Sequence, residues 1–325
     1  MRQNTTQVRG GEGLFRHDLV LHGGGAQLTA AVRSYFESAG AQVPVLAVVT
    51  PETWAVIREV LPVDAAVQIE DAGVLSRNPA RVIPTILSFV HAVHAPLRVV
   101  TEQWWDERSL VERAELARHE ALSNLAFSGH DIELVCLYDT RRISPQIVDD
   151  ALRTHQRLVG PGGLADNARY TEPQAVLAMT DLLEPVPEAA ESIDVEAGKL
   201  AQLRRAVKER AQQAGLPGER AEDLVLAANE LATNVVSHGA GRGQLRMWTD
   251  PSWLVCEVAD SGRLDNPFAG RRRPEPDDTA GRGLWMVNQL CDLVELRSNP
   301  DGTAVRLRFA LPKPAGGPLQ MPVLC

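Results

Sequence analysis

This 325-residue chain has no long apolar run. No stretch approaches the ~20 residues a bilayer span needs, and the start, MRQNTTQVRGGEG, lacks the apolar segment of a secretory signal. A cytoplasmic protein that neither enters nor crosses a membrane is therefore expected. Cysteine is scarce: Cys136, Cys256, Cys291 and Cys325 show neither paired nor metal-ligand spacing, and three lie in apolar surroundings. They are read as reduced packing residues, which excludes a disulfide scaffold. An excess of positive charge is also missing. The 33 basic residues face 42 acidic ones, and net −9 disfavours sequence-blind binding to nucleic acid or to anionic lipid. Internal repeats are absent, which excludes a solenoid. What remains is enough chain for two domains, each able to bury a core.

Residues 17–159 alternate short apolar runs with helical patterns. Strands are expected at 17–21, 43–49, 97–101 and 133–138, with helices between them and a longer helix at 111–127. Thr50-Pro51 and Ser144-Pro145 each pair an N-cap residue with proline at the first helical position, and Asn78-Pro79 is a third candidate. The alternation predicts an α/β layer structure with a mainly parallel sheet. Gly23-Gly24-Gly25 stands where phosphates can bind, but no Gly-Lys-Ser/Thr follows, so it is read as a strand-to-helix turn. His91 and His94 lack a third ligand of obvious spacing and are read as part of a helix. Trp104-Trp105 follows a strand end, where α/β folds often place pockets, and is read as a packed loop edge.

Glycines and prolines break the pattern at 160–191, where 171–183 has the spacing of a short helix and E-P-V-P-E-A-A-E then reads as a semi-rigid acidic linker. The second half opens with a helix expected at 194–214. The next stretch, EDLVLAANELATNVVSHG at 222–239, has two faces. Leu224, Ala228, Leu231 and Val235 form an apolar stripe, while Glu230, Thr233, Asn234 and Ser237 share a polar one. Alanines flank that polar stripe where a solvated face would carry Lys and Glu. A hairpin is expected at 243–249 and 253–260, with Asp260-Ser-Gly262 where its second strand ends. A carboxylate there can accept from an exocyclic amine, and Gly262 permits close backbone approach. Residues 263–280 read as a loop suited to a lid. Gly281-Arg282-Gly283 opens a helix whose N-terminal amides suit phosphate. A last hairpin pairs 293–297 with 303–311, with Thr303 just after its turn, and a Pro/Gly-rich tail follows.

Both halves resemble known families. H-x-L-V-L at 17–21, S-Y-F-E-S-A-G at 34–40, R-V-V-T-E at 98–102, Glu120 and Asn124, C-L-Y-D at 136–139 and His155 are similar to the MEDS sensory domain. That implies a signal-sensing input, with Gln103-Trp104-Trp105 standing where the family is more aliphatic. E-x-x-T-N-x-x-x-H-G at 230–239, D-x-G at 260–262, the lid, G-R-G-L-W-M-V at 281–287 and Thr303 occur in the order of the GHKL ATPase boxes. They resemble most the anti-sigma-factor serine/threonine kinase branch. Leu264 stands where the family commonly has a second glycine.

The fold class expected is thus α/β, an N-terminal sensory domain followed by a GHKL (Bergerat) α/β sandwich. The divisions are a flexible start at 1–16, a sensory domain at 17–159, a linker at 160–191, an ATPase/kinase domain at 192–312 and a flexible tail at 313–325. The resemblance implies ATP and Mg²⁺ as cofactors, with Glu230 as catalytic base and Asn234 as metal ligand. Asp260, Gly262, Gly281, Arg282, Gly283 and Thr303 would line the nucleotide site, with Asn234 beside them. It also implies a sigma factor or an anti-anti-sigma (STAS-type) protein as partner, and allows a homodimer. A module that binds its partner under nucleotide control without catalysis is the alternative. A histidine kinase ranks below both, because 194–214 contains no acceptor histidine.

Overall fold

A computed structural model describes residues 15–37, 43–61, 65–93, 96–102, 108–160, 163–274 and 281–312. The start 1–14, His94, Trp104-Trp105, part of the expected lid (275–280) and the tail with Cys325 lie outside the described residues. The chain divides into two compact units. One runs to Ser76 and from Thr85 to Thr180; the other takes Arg77–Pro84 and everything from Asp181.

In the first unit the elements run β1 (Arg16–His22), α1 (Gly25–Glu37), β2 (Val45–Val49), α2 (Pro51–Ile57), β3 (Val67–Asp71), α3 (Ala72–Leu75), α4 (Val82–Val93) and β4 (Leu97–Glu102). They continue with α5 (Leu110–Ala126), β5 (Ile132–Asp139), α6 (Pro145–Thr154), β6 (Arg157–Gly160), β7 (Gly163–Asp166) and α7 (Pro173–Met179). The sheet order is β3-β2-β4-β5-β1-β6-β7, parallel except for the final β6–β7 pair. Its central strands are the apolar runs read from the sequence, buried on both faces as parallel strands with helical crossovers must be. The edge strand β3 gave no such signal, because most of VQIED is exposed. Residues 163–166, inside the stretch expected to be a linker, form β7, and the short helix expected within 171–183 is α7. Thr50 caps α2 as expected, and Glu102 takes hydrogen bonds from the Thr50 amide (2.9 Å) and hydroxyl (2.7 Å).

The second unit contains β8 (Glu191–Glu196), α8 (Leu200–Gln213), α9 (Gly218–Ser237), β9 (Arg242–Thr249), β10 (Trp253–Asp260), α10 (Arg282–Leu290), β11 (Leu293–Asn299) and β12 (Gly302–Ala310). Its antiparallel sheet runs β11-β12-β10-β9-β8, with α8 and α10 each packed on α9. The helix expected from 194 starts at Leu200 instead. Val195 is buried between outward Asp194 and Glu196, a strand alternation, and Gly198 at φ 86° separates strand from helix. Leu224, Ala228, Leu231 and Val235 of α9 are buried as their spacing requires. Each of the larger ones contributes about 1.5–3 kcal/mol. Burial pushes the thiols of Cys256 and Cys291 up, so they act as inert packing residues. Asn78 donates to the carbonyl of Asn288, and Arg81 donates to those of Asn288, Gln289 and Cys291, placing a guanidinium at the C-terminal end of α10.

Arg306 and Arg308, which alternate with apolar residues on β12, are both buried. Glu257 stands opposite Arg246 and Arg306 in the ladder and accepts from both, at 3.3 and 2.6 Å. Arg306 also donates to the carbonyl of Glu184 at 2.6 Å. Part of the acidic stretch thus lies on this sheet. The apolar cluster shared by α8, α9, α10 and the sheet is drawn from Ile193 onward, and a fragment 188–325 is expected to fold and bind ATP. A fragment beginning at Asp181 should be more stable by about 1–3 kcal/mol, the worth of a charged hydrogen bond. Urea midpoints that coincide would show that Glu184 contributes nothing.

Candidate functional site

Two clusters meet along the C-terminal half of α9. The first joins α9 to the start of α10. Glu230 and Asn234 lie one turn apart, both half-buried. Gly283, in the first turn of α10, faces them. A methyl group at Gly283 would stand 3.0 Å from Glu230 Oε2 and 3.6 Å from Asn234 Nδ2. Only glycine leaves that space open. Gly281 caps α10 with φ 86°, a left-handed conformation that glycine adopts without strain, and no side chain caps the helix. The first intrahelical bond is Trp285 N to Gly281 O, so the amides of 282–284 have no intrahelical carbonyl to meet. Arg282 is exposed beside them. The start of α10 therefore points at a carboxylate and a carboxamide.

The second cluster is built on Asp260 at the end of β10, opposite Thr303 on β12 and Gly243 on β9. Asp260 Oδ1 accepts from Gly262 N at 2.5 Å and from Ala240 N at 3.2 Å. The second bond ties β10 to the turn that leaves α9. Oδ2 makes no hydrogen bond among the described residues. A methyl at Gly262 would stand 2.5 Å from Asp260 Oδ1 and 3.1 Å from the Gly239 Cα, so the turn closes only on glycine. Thr303 Oγ1 donates to Gly262 O at 2.9 Å and accepts from Ser298 Oγ at 2.8 Å. Ser298 in turn accepts from Leu264 N at 2.8 Å.

The residues singled out in the sequence thus fall into two groups: Glu230, Asn234 and Gly283, with Gly281 and Arg282 at the same helix start, and Asp260, Gly262 and Thr303. Thr233 of the polar stripe spends its hydroxyl on the Asn229 carbonyl at 2.8 Å, and Ser237 is exposed. Ser298 and Ala240 were not singled out. Ser298 acts only through the β11–β12 register and Ala240 only through its amide. The lid segment 263–274 carries no helix or strand, and Asn288 Nδ2 holds Gly270 O at 3.0 Å.

Fold and site together define a two-domain α/β protein with a two-layer second unit. Residues 16–156 match the family described as MEDS, the methanogen/methylotroph DcmR sensory domain. Residues 193–309 match the histidine kinase-like ATPase domain. The chain therefore carries a MEDS sensory domain followed by a histidine kinase-like ATPase domain. Among solved structures, the RsbU and RsbW domains of Rv1364c from Mycobacterium tuberculosis match with 18% identity and a TM-score of 0.29. That match covers 65% of this chain, and this chain spans half of that one. No curated protein matches. No helix among the described residues is long and apolar enough to cross a membrane.

The residues fit a nucleotide with its metal. The space that a Cβ on Gly283 would fill is lined by Glu230 and Asn234. The start of α10 offers amides and a positive dipole end, as a polyphosphate requires. A carboxamide oxygen is a hard ligand that suits Mg²⁺, which takes few protein ligands.

Proposed function

We propose that this protein is a cytoplasmic, ATP-binding anti-sigma regulator. Its second domain would phosphorylate a serine or threonine on an anti-anti-sigma partner, under control of the sensory domain. The observation that carries this reading is the meeting of Glu230 and Asn234 with the open helix start at Gly283. Asn234 and the amides of 282–284 would hold the phosphates and Mg²⁺, which neutralises charge on the transferred group. Glu230, one turn before Asn234, would accept the proton of an incoming hydroxyl. Asp260 Oδ2 would accept from the adenine amine, while Oδ1 stays committed to Gly262 and Ala240. Thr303 and Ser298 hold Gly262 and Leu264 in place, where they would line the base.

One observation favours the alternative of a nucleotide-gated binding module. Leu264 stands where a second glycine would loosen the lid hinge, and its amide is pinned by Ser298. The two readings separate in one experiment. The full chain is used as bait with and without Mg-ATP, and retained proteins are assayed for phosphate from labelled ATP. Retention of a sigma factor or a STAS-type protein with labelling of a serine or threonine supports the kinase. Nucleotide-dependent retention without labelling supports the module. Retention of neither type of protein under any condition overturns both.

A further inference from the structure

The first unit contains a buried cluster that the ATPase reading does not use. His17 on β1, Glu120 on α5, Cys136 on β5 and His155 just after α6 each present one ligand atom, and all four atoms lie within 4.8 Å of one another. All four side chains are buried. Leu19 is paired with Cys136 in the β1–β5 ladder, and His17 lies two residues before it on the same face. The helices α5 and α6 bring Glu120 and His155 to that face.

The surrounding hydrogen bonds fix what each ring presents. Asn124 donates its amide to the carbonyls of Glu120 (3.1 Å) and Thr154 (2.8 Å), so its oxygen is the atom facing His17 Nδ1 at 3.2 Å. Nδ1 of His17 must therefore carry a proton. Its Nε2 faces Cys136 Sγ and Glu120 Oε2, both at 3.3 Å. His155 Nδ1 lies 2.7 Å from the Ala151 carbonyl, which can only accept. Its Nε2 is left as a lone pair, buried and without a hydrogen-bond partner among the described residues. Two imidazole nitrogens, a carboxylate oxygen and a sulfur thus converge on one point. Partners behind the ligands are also in place. Thr101 Oγ1 donates to Cys136 Sγ at 3.1 Å and Tyr138 Oη donates to Glu120 Oε1 at 3.0 Å.

We propose that His17, Glu120, Cys136 and His155 form a closed four-ligand site for a divalent first-row transition-metal ion, Zn²⁺ or Fe²⁺ by donor set. Two neutral imidazoles, a carboxylate, a thiolate and a divalent cation sum to zero, so the loaded cluster buries no net charge. Loading requires the Cys136 thiol to give its proton to solvent as the sulfur–metal bond forms. Tetrahedral bonds to such an ion set ligand atoms about 3.3–3.8 Å apart, which the His17 contacts already meet and the rest reach by closing about 1 Å. Four protein ligands leave no open position, so the site is structural, joining the β1–β5 pair to α5 and α6.

The test uses the full chain, kept reduced. Metal analysis of the isolated protein is expected to find about one equivalent of zinc or iron, and which of the two it finds identifies the ion. The chelator-stripped chain should bind Co²⁺ with the strong visible bands of a tetrahedral site and a sulfur-to-cobalt charge-transfer band, and should melt at a higher temperature when loaded. In Cys136→Ala the charge-transfer band should vanish, and in His155→Ala the visible bands should weaken. If either variant does not fold, the wild-type cobalt spectrum decides alone. The proposal is overturned if the protein carries no metal and the stripped chain takes up no Co²⁺. It is equally overturned if bound Co²⁺ shows no sulfur band, or if a folded Cys136→Ala keeps that band unchanged.

Discussion

Replacing Glu230 by glutamine is expected to leave Mg-ATP binding intact and to slow phosphate transfer to a partner serine by roughly 10²–10⁴-fold. Glutamine matches the size of glutamate and keeps the contact with the open space at Gly283, but it cannot take a proton. The helix should not notice the change, because Glu230 is half-buried and the stripe that anchors α9 is on another face. The measurement pairs labelled-ATP transfer with nucleotide affinity for both proteins. A variant that transfers as fast as the parent would make Glu230 a structural polar residue. A variant that no longer binds nucleotide would move Glu230 from base to phosphate or metal contact. A parent that transfers nothing to any partner it binds would favour the binding module.

How much of this was legible in the sequence depends on how locally each feature is encoded. The two faces of α9 repeat at 3.6 residues, so both the buried stripe and the pairing of Glu230 with Asn234 follow from spacing alone. The open start of α10 is also local, because Gly281 caps the helix and Gly283 follows two residues later in its first turn. β8 is hidden in the sequence because its alternation is short and it runs directly into the helical pattern that follows Gly198. The acidic stretch near Glu184 looked like a linker because nothing local shows that Arg306 and Arg308 face it; that contact is set by the register of β12 against β10. Ser298 joins the site for the same kind of reason. The cluster in the first unit is the least local of all. Its ligands come from β1, α5, β5 and the residue after α6, so Cys136 reads as packing and His155 only as one residue of the sensory-domain resemblance. Only the parallel pairing of β1 with β5, with the helices laid against it, brings them together.

Asp260→Asn is the substitution expected to weaken ATP binding most while leaving the fold unchanged. The structure separates the two oxygens of Asp260. Oδ1 closes the turn by accepting from Gly262 N and Ala240 N, and an asparagine oxygen can do the same. At the other position an NH₂ group would replace an acceptor and would face the amine of adenine donor to donor. The expected loss is about 1–3 kcal/mol, a fall of roughly 5–150-fold in affinity. Thermal unfolding without nucleotide should be nearly unchanged. Asp260→Ala is a poorer test, because it strips both amides of their acceptor and would loosen the α9–β10 turn as well. Calorimetric titration of the asparagine variant with Mg-ATP decides the point. Affinity equal to the parent's would take Asp260 out of the nucleotide site and leave it only the task of holding the turn. A drop in unfolding temperature as large as the loss of binding would mean that the turn, and not base recognition, accounts for the effect.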